Sequence, residues 1–314
     1  MSKIKIGLSA CLAGEDVRYN GQNCLNKLIT QDLDEYFEYV KVCPEMAIGL
    51  GTPRETIRVV RDGDLQLRAS RSNTDYSKAM RDFAKADMKR VADANLCGFI
   101  FKKGSPSCGA FRVKIYNPQG MPQVEKTSGF YAAQVMESFP WMPVEEEGRL
   151  NDPPLFENFI QKSFALGRWQ QMLKDGLTHK RLLDFHQYHK YWIMAHNQAG
   201  LKRLGKMLAN RGERSVEELA SDYLEEYSKV VSRPPTSLKH SNVLYHLLGY
   251  FKQDIDAFDK QEMVKLIEQY RKNYIPLVVP ITRLAYFADK YQSEYLLNQS
   301  YLKHPERLGV LNKL

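Results

Sequence analysis

No stretch of the 314-residue chain strings together the roughly 18 apolar residues that a membrane-crossing helix requires, so no membrane association is expected. Cysteine is scarce and odd in number, five in all, and nowhere closely paired. That excludes the disulfide framework of a small secreted protein and the tight cysteine pairs of zinc ribbons and bacterial ferredoxins. It fits reduced thiols and a cytoplasmic location. No His-Glu-x-x-His stretch is present, which removes the zinc-peptidase pattern. Internal repeats and low-complexity tracts are missing as well. Leu8-Ser9-Ala10-Cys11 spells a lipoprotein cleavage site, yet only Ile4, Ile6, Gly7 and Leu8 separate it from the lysines. A leader needs about 7–15 apolar residues, so none is expected. Nothing in the pattern calls for an obligate protein partner.

What is present suits a globular chain with two cores, since 43% of residues are hydrophobic and 26% charged. The net charge of +8 with a pI near 9.0 favours an acidic partner, nucleic acid being the commonest, over a merely solubilising surface. The charge is uneven. Residues 1–150 hold 21 Lys/Arg against 19 Asp/Glu, whereas residues 151–314 hold 24 against 18.

The order of elements supports an α/β N-terminal domain with a largely parallel sheet, residues 1–150, followed by an all-α C-terminal domain, residues 151–314. Strands are expected at Lys3 to Leu8, Tyr39 to Val42, Cys97 to Phe101, Phe111 to Ile115 and Trp141 to Val144. Asp62-Gly63 between two alternating runs marks a hairpin. Helices are expected over Gln31 to Phe37, Asp75 to Ala94 and Gly129 to Ser138. The second has Met80, Phe83, Ala84, Met88 and Val91 on one side. The polar stretch from Glu145 to Pro154 is the expected domain junction. Beyond it the period is helical, with helices near 154–174, 178–197, 199–211, 215–231, 237–251, 259–274 and 277–296.

Three of the expected strands end in loops that reach a cysteine: Ser9-Ala10-Cys11-Leu12, Cys43-Pro44-Glu45, and Gly104-Ser105-Pro106-Ser107-Cys108-Gly109. Ligands of open α/β sheets bind outside the carboxyl ends of the strands, so these loops can converge on one site. Three thiolates suit a zinc with an open fourth position, or a cubane iron–sulfur cluster whose fourth iron lacks a protein ligand. Three buried cysteines acting as small hydrophobes remain the plain alternative. Cys97 begins an apolar strand and reads as core, and Cys24 reads as a loop bystander.

These motifs, together with Arg18-Tyr19-Asn20-Gly21, Gly49-Leu50 and Pro53-Arg54, resemble the thiouracil desulfidase family over about residues 1–150. The resemblance implies a [4Fe-4S] cluster held by Cys11, Cys43 and Cys108, with the fourth iron free for the substrate's sulfur. It also implies that Glu45 and Ser105 are catalytic. From their residue types alone, Glu45 could be a loop carboxylate paired with Arg54, and Ser105 a turn residue. The helical half, with Phe185 to Tyr191 and Lys239 to His246, resembles the domain fused to this family in desulfidases that act on 4-thiouridine in tRNA.

His186, His189, Ile193 and His196 fall within roughly 80° of one helical face, and the interleaved aromatics favour packing there over metal binding. Lys202, Arg203 and Lys206 share a face of the next helix, with Arg211 and Arg214 beyond. They are the leading candidates for contact with RNA phosphates. Lys102 and Lys103, beside the cysteine loop, are candidates to hold the phosphates of the treated nucleotide. The expectation is a desulfidase of thiolated uridine in tRNA. The alternatives are a desulfidase of free 2-thiouracil or thionucleosides, and a non-catalytic iron–sulfur RNA-binding sensor.

Overall fold

Burial of the first apolar run organises the N-terminal unit. Strand β1 (Ile4–Ser9) has Ile6 and Leu8 fully buried and lies between β2 (Phe37–Val42) and a strand from the run Phe99–Phe101. The structure, a computed structural model, describes residues 3–210 and 212–303. The chain divides into two compact units, residues 1–170 and 171–314.

In the first unit, Cys43 ends β2 and opens the short helix α1 (Pro44–Ala47). The hairpin β3 (Ile57–Asp62) and β4 (Asp64–Ala69) turns at Gly63, as the Asp62-Gly63 pair predicts. Helix α2 (Ser77–Asp93) leads into β5 (Phe99–Phe101). There follow β6 (Val113–Tyr116), β7 (Pro122–Thr127), α3 (Phe130–Ser138) and β8 (Val144–Glu146). Two four-stranded sheets result. The first, in the order β2-β1-β5-β8, is parallel throughout. The second, β4-β3-β6-β7, is mixed, with only the β3–β6 pair parallel. The largely parallel sheet expected from sequence is therefore the first of the two.

Between β5 and α2–α3 the core is aromatic. Phe99 and Phe101 stack with centroids 4.0 Å apart, and Tyr131 meets both edge-on. The polar face of this contact is satisfied internally: Asp87 on α2 accepts hydrogen bonds from Arg90 (Nε 2.7 Å, Nη2 2.8 Å) and from the Tyr131 hydroxyl (2.7 Å).

In the first unit several sequence expectations shift. The helix expected over Gln31 to Phe37 is a single wide turn at Leu28–Asp32, and Phe37 already starts β2 because its ring is needed in the core (1% exposed). The last strand is Val144–Glu146 rather than Trp141 to Val144, so Glu145 and Glu146 belong to the sheet and not to a linker. Both glutamates are buried with partners: Glu145 accepts from Arg149 Nε at 2.7 Å, and Glu146 accepts from the Phe111 amide at 3.0 Å. Strand β7 gave no apolar signal, since it is a polar edge strand with Val124 facing solvent. Helix α4 (Pro153–Lys174) follows the expected junction, but its residues to Gln170 belong to the first unit; Gln170 donates to the Leu96 carbonyl at 3.1 Å.

The second unit is helical: α5 (His179–Tyr188), α6 (Lys190–His196), α7 (Gln198–Ala209), α8 (Val216–Val230), α9 (Ser237–Leu248), α10 (Ala257–Arg271), α11 (Val278–Lys290) and the short α12 (Glu294–Leu297). Starts are set by capping side chains, with Thr178, Asn197, Ser215, Thr236 and Asp256 each accepting from an amide in the first turn. The single helix expected over 178–197 is broken at His189. The break turns the aromatic positions inward: Phe185, His189, Tyr223 and Tyr227 form an edge-to-face cluster. No described helix is long and apolar enough to cross a membrane.

Candidate active site

Because β2, β1 and β5 are neighbours in that order and run parallel, the loops leaving their carboxyl ends are neighbours too. Cys43 caps α1 directly after β2, Cys11 lies in the tight turn Ala10–Ala13 after β1, and Cys108 sits in the loop after β5. All three line one cleft of about 240 Å³, together with Glu45, Arg54, Ser105 and Ser107. Cys11 and Cys43 are half-buried, and Cys108 is buried.

The cysteine loop is held from below by α3. The amides of Phe130 and Tyr131 donate to the carbonyls of Pro106 (3.1 Å) and Ser107 (3.0 Å). Such close approach requires glycine at two places. A Cβ on Gly129 would lie 2.6 Å from the Ser107 carbonyl, and one on Gly109 would lie 2.8 Å from the Ser105 carbonyl oxygen. Within the loop the Ser105 hydroxyl accepts from the amides of Cys108 (3.1 Å) and Ser107 (3.3 Å). Ser105 thus has the turn role its residue type allowed, and its hydroxyl still faces the cleft.

Glu45 is the hub. Its Oε2 accepts from Arg54 Nη2 and from Nε at 3.1 Å, an ion pair largely withdrawn from solvent. Oε1 accepts from the Ser107 hydroxyl at 2.6 Å and more weakly from Ser105 at 3.4 Å. The two hydroxyls are 3.0 Å apart. Arg54 is itself fixed by the carbonyls of Gly51 (2.7 Å) and Val17 (2.8 Å). Sequence reasoning named Glu45 and Ser105. It left Ser107, the nearer donor, and Arg54 outside the site, although both stand inside the quoted motifs.

The thiols share an environment hostile to bare thiolates. Burial, then the charges of Cys24 and Cys43, push Cys11 up to about 12, with Lys102 opposing them. Burial is also the main cause raising Cys43 and Cys108, and Glu45, Cys43 and Cys11 add to it at Cys108. A cationic, thiophilic group bound among the three would remove that penalty, so the donor set fits an iron–sulfur cluster. Among the described residues no three His, Cys, Asp or Glu side chains gather closely enough to hold a single ion. Cys97 is buried beside Gln170, as its core reading required. Cys24 donates its amide to the Cys11 carbonyl at 2.9 Å and is not among the cleft-lining residues.

The basic candidates separate. Lys102 Nζ pairs with Glu147, whose other oxygen accepts from the Lys103 amide at 2.7 Å; the Lys103 side chain is exposed. In the second unit Arg203 is paired with Glu226 at 2.8 Å and Arg214 with Asp222 at 3.1 Å, while Lys202 and Lys206 are exposed on α7. Arg211 lies outside the described residues. The histidine stripe is packing: His186 Nδ1 is 2.9 Å from the Tyr223 hydroxyl, and burial, helped by Lys190, lowers its pKa to about 4.

Parallel strands delivering three cysteines, a carboxylate and two serines to one cleft define an α/β desulfidase unit, and comparison with known proteins agrees. The chain belongs to the 2-thiouracil desulfurase family, which it matches over residues 6–147, and residues 190–305 match a second family, described as a protein of unknown function, DUF1722. It is 30% identical over 148 residues to the uncharacterized protein YbgA of Escherichia coli, covering 47% of this chain and 88% of that one. It is likewise 30% identical over 152 residues to the uncharacterized protein YbbK of Bacillus subtilis, covering 46% and 97%. Among solved structures, it is similar to the [4Fe-4S]-dependent thiouracil desulfidase TudS, with 29% identity and a TM-score of 0.38, over 48% of this chain and 95% of that one.

Proposed function

We propose that the protein removes sulfur from thiolated uridine in tRNA, with 4-thiouridine as the proposed substrate. The observation that carries the reading is the Glu45–Ser107 hydrogen bond of 2.6 Å set in a cleft lined by Cys11, Cys43 and Cys108. The reaction replaces C=S by C=O, consumes one water and releases hydrogen sulfide, with no net electron transfer. Cys11, Cys43 and Cys108 would hold a [4Fe-4S] cluster. Its iron without a protein ligand would supply a thiophilic Lewis acid for the thiocarbonyl sulfur.

The remaining work falls to side chains. Arg54 fixes one carboxylate oxygen of Glu45, so that the other points to the serines and the cleft. Glu45 takes the proton of the attacking water, and Ser105 hydrogen-bonds the ring or passes a proton to it. The base must leave its stack to enter, so a flipped or loop-exposed nucleotide is the substrate form. The RNA part is supported by the positive balance of residues 151–314, by exposed Lys202 and Lys206 with Arg203 beside them on α7, and by Lys102 and Lys103 at the cleft. Five free cysteines fit a reducing compartment, and we place the protein in the cytoplasm.

The test is anaerobic. Cluster-loaded protein is mixed with natural thiolated tRNA and, separately, with free thiouracil and thiouridine, while sulfide release and thiocarbonyl absorbance are followed. Loss from tRNA, absent in Cys108→Ala, is expected. Loss only from the free base would reassign the substrate, and no loss from either would favour a sensor.

A further inference from the structure

Beside the cysteine cleft, in the same unit, lies a second groove of about 460 Å³, and Ile57, Lys103, Gly104 and Pro106 line both. The charged lining of this groove is lopsided. Arg58, Lys103, Arg112, Lys114 and Arg149 face a single carboxylate, Glu146. That carboxylate is 2% exposed and already accepts from the Phe111 amide, so it offsets little of the charge.

The cations are placed rather than scattered. Arg58 on β3 and Lys114 on β6 lie one residue before Val59 and Ile115, which pair in register, so the two occupy opposed positions on neighbouring strands. Like charges so placed destabilise a sheet. Elsewhere on the same sheet the arginines are neutralised: Arg61 pairs with Glu125 at 2.7 Å and Arg68 with Asp62 at 2.9 Å. Among the described residues, Arg58, Arg112 and Lys114 make no ion pair. Arg58 is nevertheless held in place. Its guanidinium lies 5.7 Å from the Tyr116 ring centre, and a Cβ on Gly120 would come 2.8 Å from its Nη1. Its Nε is buried without a hydrogen-bond partner. Arg112 precedes β6 with φ +56°, a backbone state that favours glycine, and its side chain is exposed. Arg149, tethered to Glu145, covers the Phe111 ring at 4.9 Å.

We infer that this groove binds the ribose-phosphate backbone of the RNA strand that flanks the base entering the cysteine cleft. Among the described residues four of the lining cations, Arg58, Lys103, Arg112 and Lys114, make no ion pair, more than one phosphate uses, and the shared wall at Lys103, Gly104 and Pro106 makes the groove the continuation of the base site. The inference rests on the RNA reading of the function and assigns part of the strand's path to the first unit.

The experiment measures binding, not turnover. Full-length apo and cluster-loaded protein are titrated against fluorescent unthiolated tRNA between low and moderate salt, for the wild type, Lys114→Gln and the pair Arg112→Gln/Lys114→Gln. Affinity of the pair is expected to fall about tenfold or more at low salt, and the slope of log K against log salt to shrink by about 1 per cation removed. The single variant, on an exposed side chain, keeps the test alive should the pair fold poorly by thermal unfolding. Wild-type binding with unchanged affinity and slope in both variants overturns the groove and leaves the RNA substrate standing. Absence of salt-sensitive tRNA binding by the wild type overturns both.

Discussion

Arg54 and Glu45 form an ion pair largely withdrawn from solvent at the cysteine cleft, with Arg54 Nε 3.1 Å from Oε2, and the pair leaves Oε1 to the serines. Glu45 sits in α1 and Arg54 in the loop nine residues further on, so the pair orients the carboxylate while also closing the loop that carries Arg54. Removing Arg54 strands a buried charge and leaves the carbonyls of Val17 and Gly51 without their donor. Arg54→Met is expected to lower unfolding free energy by about 3 kcal/mol, read by denaturant titration. Glu45→Gln keeps a single acceptor oxygen and in its turn leaves the buried Arg54 charge unpaired, so it should cost a comparable amount of stability while losing at least about 10²-fold in turnover. An Arg54→Met variant as stable as the wild type would remove the anchoring role of Arg54.

Ser107 stands closer to Glu45 than Ser105 does, 2.6 Å against 3.4 Å. Ser107→Ala is therefore expected to reduce kcat more than tenfold (about 1.4 kcal/mol) with the loop intact. Ser105→Ala deletes the acceptor for two loop amides and should also reduce iron retention, measured by iron and sulfide analysis. Full turnover in Ser107→Ala would leave Ser105 alone in the chemical role.

Replacing Cys11, Cys43 or Cys108 by serine should each abolish iron incorporation on anaerobic reconstitution. Cys97→Ser and Cys24→Ser should retain it, because Cys97 is turned into the core and Cys24 does not line the cleft. Loss of iron in Cys24→Ser would add that residue to the ligand set. A chelator strong enough to strip iron should stop turnover of the wild type.

The Asp87–Arg90–Tyr131 group makes a prediction about pH. Burial raises the Asp87 carboxyl, but hydrogen bonds from Arg90 and Tyr131 outweigh it and hold the group below its ordinary value. A depressed carboxylate pKa contributes stability that is complete above the unfolded value, about 4, and is lost as pH falls through the folded one. Tyr131→Phe removes one donor, at a cost of about 1–2 kcal/mol near neutrality. The gap between variant and wild type should narrow below about pH 4 in acid unfolding curves. A gap independent of pH would assign the loss to packing.

Local chemistry was legible in the residues themselves. Apolar alternation found β1 and β2, and period 3.6 found α2 and the helical second half. The three cysteines could be placed at strand ends because glycine and proline interrupt the chain there. Strand β7 was not legible, since an exposed edge strand has no buried face to pattern it. The break at His189 was not either, since the turn serves contacts with Tyr223 and Tyr227, residues distant in the chain.

The sequence by itself determined that three cysteines, with Glu45 and Ser105 beside two of them, stand in loops at strand ends, because turn geometry is a property of short segments. Only the tertiary structure decided how they meet. The strand order β2-β1-β5 brings Cys43, Cys11 and Cys108 to one cleft, although 32 and 65 residues separate them in the chain. Packing of α3 beneath the last loop turned Ser107 toward Glu45, and a hydrogen bond to the distant Val17 carbonyl holds Arg54 on its other side. Those relations depend on which strands pair and which surfaces are buried together, and that is settled by the free energy of the whole core, not by any one segment.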